Sequence, residues 1–138
     1  MKPKNLLDLE DRLDVIPTMK LPPPTEHTET VTVSRFLDIL VAQKRVIVYS
    51  KTSQETFTKS WGTKIRNKQE GVRPGLPDFI IVTPTSVLFL ELKRIKLGHV
   101  RDEQKVWLTA LEGKQTHSTV CFGSDNAMKW ITEQLNLQ

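Results

Sequence analysis

An aspartate, a glutamate and a lysine stand at positions from which they could form a metal site. Asp78 directly precedes the apolar run 79–82, and Glu91 and Lys93 stand at the end of a second run, 87–93. Buried carboxylates that lie close together repel each other and raise each other's pKa unless a cation neutralises them. Lys93 supplies one positive charge, and a divalent ion would supply more. Because the ligands are oxygen atoms only, Mg²⁺ or Mn²⁺ is the expected ion.

The two apolar runs predict a β-hairpin that brings the carboxylates together. The break between them, residues 83–86, consists of Thr, Pro and Ser, a composition typical of a turn. If Val82 pairs with Val87, the antiparallel register places Asp78 directly opposite Glu91. Side chains that oppose each other in this way have Cβ atoms roughly 4.5–5.5 Å apart. Taken singly, each of these charged residues is more often part of an ordinary ion pair on a hairpin, but the three together favour the metal site.

The same residues carry a resemblance to a known nuclease family. Pro77-Asp78 followed by Glu91-Leu92-Lys93 looks like the PD-(D/E)xK signature. The longer run Gly71-x-Arg73-x-Gly75-x-Pro77-Asp78 resembles the VRR-NUC branch, the virus-type replication-repair nucleases. The resemblance covers roughly residues 25–135. It implies metal-dependent hydrolysis of phosphodiester bonds, with Mg²⁺ or Mn²⁺ held by Asp78, Glu91 and the carbonyl of Leu92. It also implies that Lys93 orients or deprotonates the attacking water.

A further acid from the first helix joins the metal in this resemblance. Thr25-Glu26 looks like the Ser/Thr-Glu start of that helix, so Glu26 is the chosen residue and Glu29 the reserve. Both glutamates would also complement the helix dipole, which is the competing explanation. Glu55 is a third candidate, since members of the family often carry an acid in that segment.

Gln104 is the fifth candidate catalytic residue. It shares a helical stripe with Trp107, Leu108 and Leu111, and a glutamine that faces inward needs a hydrogen-bond partner. In the resemblance it corresponds to a glutamine beside the active site. The alternative is a glutamine at the border of the helix that faces solvent.

Positive charge is concentrated just before the carboxylates, where a polyanion would have to approach. Residues 51–75 contain six basic and two acidic side chains, and a tryptophan is interleaved with them. Aromatic rings stack on bases while cations meet phosphates, so this composition predicts a nucleic-acid surface. A solvated basic loop, with Trp61 as a packing anchor, is the alternative. The predicted contacts with DNA are Lys59, Trp61, Lys64, Arg66, Lys68, Arg73, Arg94, Lys96 and Arg101.

The order of predicted elements is helix, strand, hairpin, helix, strand, helix. This order favours an α/β fold in which a mixed sheet has helices on both faces, as in restriction endonucleases. Residues 25–138 are predicted to form the nuclease domain. Residues 1–24, which contain a Pro triplet, are predicted to form an arm.

The resulting functional prediction is a metal-dependent, structure-specific DNA endonuclease. The resemblance implies branched DNA such as Holliday junctions as the substrate, and a two-fold junction suits a homodimer. The alternatives are a DNA-binding module that retains the fold without catalysis and a domain that binds acidic proteins. No apolar run is long enough to span a membrane, and the single Cys121 favours a reducing cytoplasm, in a bacterial cell or a phage-infected host.

Overall fold

Four strands form one mixed sheet in the computed structural model, which describes residues 21–52, 60–96 and 98–137. The strand order is β1-β2-β3-β4; β1, β2 and β3 are antiparallel neighbours, and β4 runs parallel to β3. The elements in chain order are α1 (Glu26–Ala42), β1 (Val48–Lys51), α2 (Trp61–Gln69), β2 (Phe79–Val82), β3 (Val87–Lys93), α3 (Asp102–Ala110), β4 (Thr116–Phe122) and α4 (Ser124–Asn136).

The hairpin of β2 and β3 has the register that the sequence predicts. Val82 pairs with Val87 and Phe79 with Leu90. The turn is closed by Thr83, whose backbone N–H donates to the Ser86 carbonyl at 2.9 Å. Extended by one residue, this register sets Asp78 against Glu91.

Helices α1 and α4 pack on one face of the sheet and enclose the core. Alternate residues of β2 and β3 point into that face, as expected for a period of two. The fully buried core comprises Val33, Leu37, Phe79, Ile81, Leu88, Leu90, Ala127 and Ile131. Glu91 points to the opposite face, where α3 covers it. The mixed sheet with flanking helices confirms the predicted fold class.

Helix α1 begins where its cap residue predicts. The Thr25 hydroxyl accepts a hydrogen bond from the Thr28 N–H at 3.1 Å, and the apolar stripe of α1 faces the core. Helix α2, in contrast, does not follow from any apolar periodicity. It begins after Ser60, whose hydroxyl accepts from the Thr63 N–H at 3.4 Å. All side chains of α2 are exposed or half-buried against the described part of the chain, so the periodic signal that reveals a core-facing helix is missing.

Two predictions about the chain as a whole fall partly outside the described residues. Of the predicted arm, residues 1–20 lie outside them, and Pro24 accepts a hydrogen bond from the Arg94 guanidinium at 3.3 Å. None of the described helices is long and apolar enough to cross a membrane. Cys121 lies in the core, and burial raises the pKa of its thiol to about 11.

Candidate active site

The aspartate of the site is fixed by backbone contacts on both sides. The Leu92 N–H donates to Asp78 Oδ2 at 2.9 Å across the hairpin. Behind it, Thr52 anchors the Pro77-Asp78 peptide: its N–H donates to the Asp78 carbonyl at 2.7 Å and its hydroxyl to the Pro77 carbonyl at 2.6 Å. Thr52 could not be identified from the sequence, because its role depends on how β1 pairs with β2.

The glutamate of the site is the most buried acidic side chain among the described residues. Only 2% of Glu91 is exposed. Its Oε1 accepts hydrogen bonds from Lys93 Nζ at 3.0 Å and from Gln104 Nε2 at 2.5 Å. Its Oε2 is buried and has no hydrogen-bond partner within the described part of the chain. A buried carboxylate oxygen without a hydrogen bond lowers the stability of the fold unless a ligand binds to it.

The electrostatics of Asp78 and Glu91 also favour a bound cation. Burial raises the pKa of the Asp78 carboxyl, and the Leu92 N–H and the Lys93 charge only partly oppose this effect. Burial also raises the pKa of Glu91, and the negative charge of Asp78 raises it further. Each raised pKa means that the ionised pair destabilises the fold at neutral pH. A cation bound between the two carboxylates would remove that repulsion.

The oxygen atoms present fit a hard divalent ion. Asp78 and Glu91 supply two carboxylates, one of which carries the unsatisfied Oε2. In the described residues no third His, Cys, Asp or Glu joins them in a cluster that could hold a metal. Mg²⁺ suits such a site because it commonly binds through one or two carboxylates and keeps several waters. The residues therefore fit Mg²⁺ or Mn²⁺, with the Leu92 carbonyl as the predicted main-chain ligand.

Glu26 lies near this site without being part of its inner cluster. Its side chain is exposed in the first turn of α1. Its charge nevertheless contributes to the raised pKa of Asp78, so it lies within electrostatic range. Glu26 thus remains the predicted outer acid, which acts directly or through a water molecule. Glu55 lies outside the described residues.

Glu29 makes a contact that helix-dipole complementarity does not account for. It is only 5% exposed, and its Oε2 accepts a hydrogen bond from the Ser124 N–H at the start of α4. The neighbouring Gly123 N–H donates to the Lys93 carbonyl at 2.8 Å. Glu29 therefore connects α1 to α4 beside the end of β3. The sequence could not reveal this, because the two partners are 95 positions apart.

Substitution of Glu29 should therefore change stability, whereas substitution of Glu26 should change activity. Glu29→Ala leaves the partly buried Ser124 N–H without its acceptor, and we expect it to lower the free energy of unfolding by about 1–3 kcal/mol. Glu26→Gln should leave stability unchanged and reduce DNA cleavage. Chemical denaturation and a cleavage assay on both variants measure the two effects. Equal and mild losses in both assays would mean that α1 contributes no catalytic acid.

Gln104 faces inward, as predicted, and the solvent-facing alternative is wrong. It is 4% exposed; its Nε2 donates to Glu91 and its Oε1 accepts from the Arg101 N–H at 3.0 Å. The position of α3 is set by the glycine-rich lead-in. Gly75 has a φ of +99°, and a Cβ there would lie 2.6 Å from the backbone of Glu103. This close approach explains why glycine is needed at position 75.

The predicted DNA-contacting residues fall into two groups. Lys64, Arg66 and Lys68 lie on α2 and are exposed, as is Arg73 in the following loop, and Trp61 is exposed as well rather than a packing anchor. Around β3, Arg94 contacts Pro24, Lys96 lies in a turn with a φ of +67°, and Arg101 precedes α3. Lys59 lies outside the described residues.

Comparisons with known proteins agree with this geometry. The VRR-NUC domain family matches residues 26–125, which is more than half of the chain. A solved structure of a VRR_NUC domain protein is similar at 19% identity and a TM-score of 0.53, covering 80% of this chain and 89% of that chain. At that identity it shows the fold. No curated protein matches the chain. With its sheet, its opposed carboxylates and a family match over most of its length, the chain belongs to the VRR-NUC domain family, a family of the nuclease type.

Proposed function

We propose that this protein is a Mg²⁺- or Mn²⁺-dependent endonuclease that hydrolyses phosphodiester bonds in branched DNA. The observation that carries the proposal is the buried Glu91 carboxylate, which opposes Asp78, holds Lys93 on one oxygen and leaves the other without a partner in the described residues. A protein that only binds DNA gains nothing from burying two carboxylates where a polyanion must approach.

Each residue of the site has a distinct task in this proposal. Asp78 and Glu91 would hold the ion, which supplies Lewis-acid stabilisation of the charge that develops on the phosphate. Lys93 lies 3.0 Å from Glu91, so its ammonium can orient the attacking water and bind the charged phosphate oxygens. Gln104 fixes the orientation of Glu91, and the Leu92 N–H fixes that of Asp78.

The proposed substrate is DNA with a branch, and Holliday junctions are one such structure. The exposed cations of α2 and Arg73 support DNA as the substrate, since they provide a surface for phosphates that does not depend on sequence. The branch is what the resemblance to VRR-NUC nucleases implies. A homodimer would present two centres to a junction with two-fold symmetry.

Binding and cleavage assays on one set of DNA structures test the proposal. Gel shifts without metal on junction, duplex and single-stranded DNA measure binding, and addition of Mg²⁺ or Mn²⁺ to the same samples measures hydrolysis. Lys93→Ala, purified in parallel, controls for contaminating nucleases. We expect metal-dependent cleavage by the wild type only. DNA binding without any cleavage would instead identify a non-catalytic DNA-binding module.

The basic residues of α2 should account for much of the salt dependence of binding. Each cation that neutralises a phosphate releases counterions, so replacing Lys64, Arg66 and Lys68 by Ala should weaken binding to every DNA structure. The log–log slope of affinity against salt should flatten by up to roughly 0.9 per lost contact on duplex arms. Thermal stability should hardly change, because exposed charges contribute little to folding. An unchanged slope would mean that DNA contacts Arg94, Lys96 and Arg101 instead of α2.

A further inference from the structure

Two neighbouring apolar side chains on α2 are exposed. Trp61 is 78% exposed and Ile65, one turn later, is 54% exposed. Tryptophan normally buries most of its large ring, and an exposed ring next to a second apolar side chain marks an interaction surface. The charge around the pair indicates the class of partner. On α2 the ionised side chains are three cations and, just after the helix, Glu70.

Cations lie beside the Trp61 ring and along a neighbouring cleft. Lys64 Nζ lies over the Trp61 ring, 5.6 Å from its centroid. Lys64 also lines a cleft together with Lys68, Arg73 and Glu103. Glu103 is the neighbour of Gln104, which donates to Glu91. The nine residues of α2 extend about 13 Å, so Lys64 and Lys68 lie within one helix length of the ring.

We propose that Trp61 stacks on an unpaired nucleotide of the substrate and that the cleft of Lys64, Lys68 and Arg73 holds the phosphates that follow it. The preferred substrate class is then branched DNA with single-stranded nucleotides at the branch, such as a flap or a fork, over a fully paired four-way junction. This inference rests on the proposed function and narrows its substrate.

The energetics of stacking separate unpaired from paired DNA. Every base has an aromatic face, so an exposed ring with adjacent cations binds single strands with little dependence on sequence. In a duplex the base faces are already stacked on each other. Unstacking one base step of a duplex costs about as much free energy as stacking one base on an aromatic ring provides. Stacking on Trp61 therefore adds little to the affinity for paired DNA. An unpaired nucleotide offers its face without that cost.

Binding measured without metal tests the inference independently of cleavage. Fluorescence anisotropy of the full chain in EDTA compares four DNAs with common sequences: a single strand, a duplex with a flap, a plain duplex and a fully paired four-way junction. Trp61→Ala should weaken binding to the single strand and the flap by about 5- to 150-fold. The affinity of Trp61→Ala for the plain duplex and the four-way junction should stay within about twofold of the wild-type affinity. Trp61→Phe should restore most of the loss.

Lys68→Ala is the matched control on the same helix. It should weaken all four complexes alike, because it contacts phosphate rather than base. Equal loss on all four DNAs for Trp61→Ala, or no loss, would overturn the inference while leaving the nuclease proposal intact. A wild-type dimer that becomes monomeric in Trp61→Ala during sedimentation would also overturn it, since the ring would then bind a second copy. If the wild type binds none of the DNAs, both proposals fail.

Discussion

Asp78→Asn should reduce metal-dependent DNA cleavage by at least about a thousandfold while DNA binding stays equal or becomes tighter. The substitution keeps the acceptor for the Leu92 N–H but removes one of the two carboxylates opposed across the hairpin. Loss of electrostatic stabilisation at the reacting centre has effects of this size. Binding should not suffer, because a negative charge near the phosphates is removed. Single-turnover cleavage and gel shifts on the same branched DNA measure both quantities.

The same substitution should stabilise the metal-free protein. Burial raises the pKa of both carboxyls in the folded state, so the wild type loses stability as the pH rises through those folded-state values. Below the unfolded-state values both groups are protonated in either state and the effect vanishes. In EDTA near neutral pH we expect Asp78→Asn to raise the free energy of unfolding by about 0.5–2 kcal/mol. The gain should disappear near pH 3. Cleavage at the wild-type rate, or destabilisation at neutral pH, would contradict the role of Asp78.

Lys93→Ala should lower turnover by at least about a hundredfold while metal binding is kept. The ammonium contacts Glu91 Oε1 at 3.0 Å, within reach of a water or phosphate oxygen at the site. Losses of this order are typical when a group that assists proton transfer is removed. Metal affinity should stay the same or rise, because the ammonium no longer competes for the carboxylate. Single-turnover kinetics and calorimetric titration with Mn²⁺ separate the two effects.

Lys129→Ala is the control for this prediction, since it removes an exposed cation from α4, which packs on the face of the sheet opposite to Glu91. It should leave turnover largely intact. If Lys93→Ala instead lost metal affinity and kept its turnover, Lys93 would be a structural partner of Glu91.

The hairpin and its three charged residues could be predicted because their information is local. Two apolar runs with one short turn between them leave few possible registers, and Val82 does pair with Val87. Period-two alternation then decides that Glu91 and Lys93 share a face. Gln104 was predictable for a similar reason, since its helical stripe turns inward.

The contacts that the sequence did not reveal depend on packing between distant segments. Thr52 reaches the Pro77-Asp78 peptide only after β1 has paired with β2. Glu29 reaches Ser124 only after α1 and α4 have packed together. Helix α2 escaped prediction because Trp61 and Ile65 are exposed rather than in the core, so the helix lacks the apolar periodicity of a core-facing helix.

Anomalous scattering from a crystal grown with Mn²⁺ tests most directly whether the opposed carboxylates form a metal centre. We predict a peak within about 2.1 Å of carboxylate oxygens from both Asp78 and Glu91, with Glu91 Oε2 among them. The peak should be absent in Asp78→Asn under the same conditions. A wild-type crystal saturated with Mn²⁺ that shows no peak between these two residues would contradict the account.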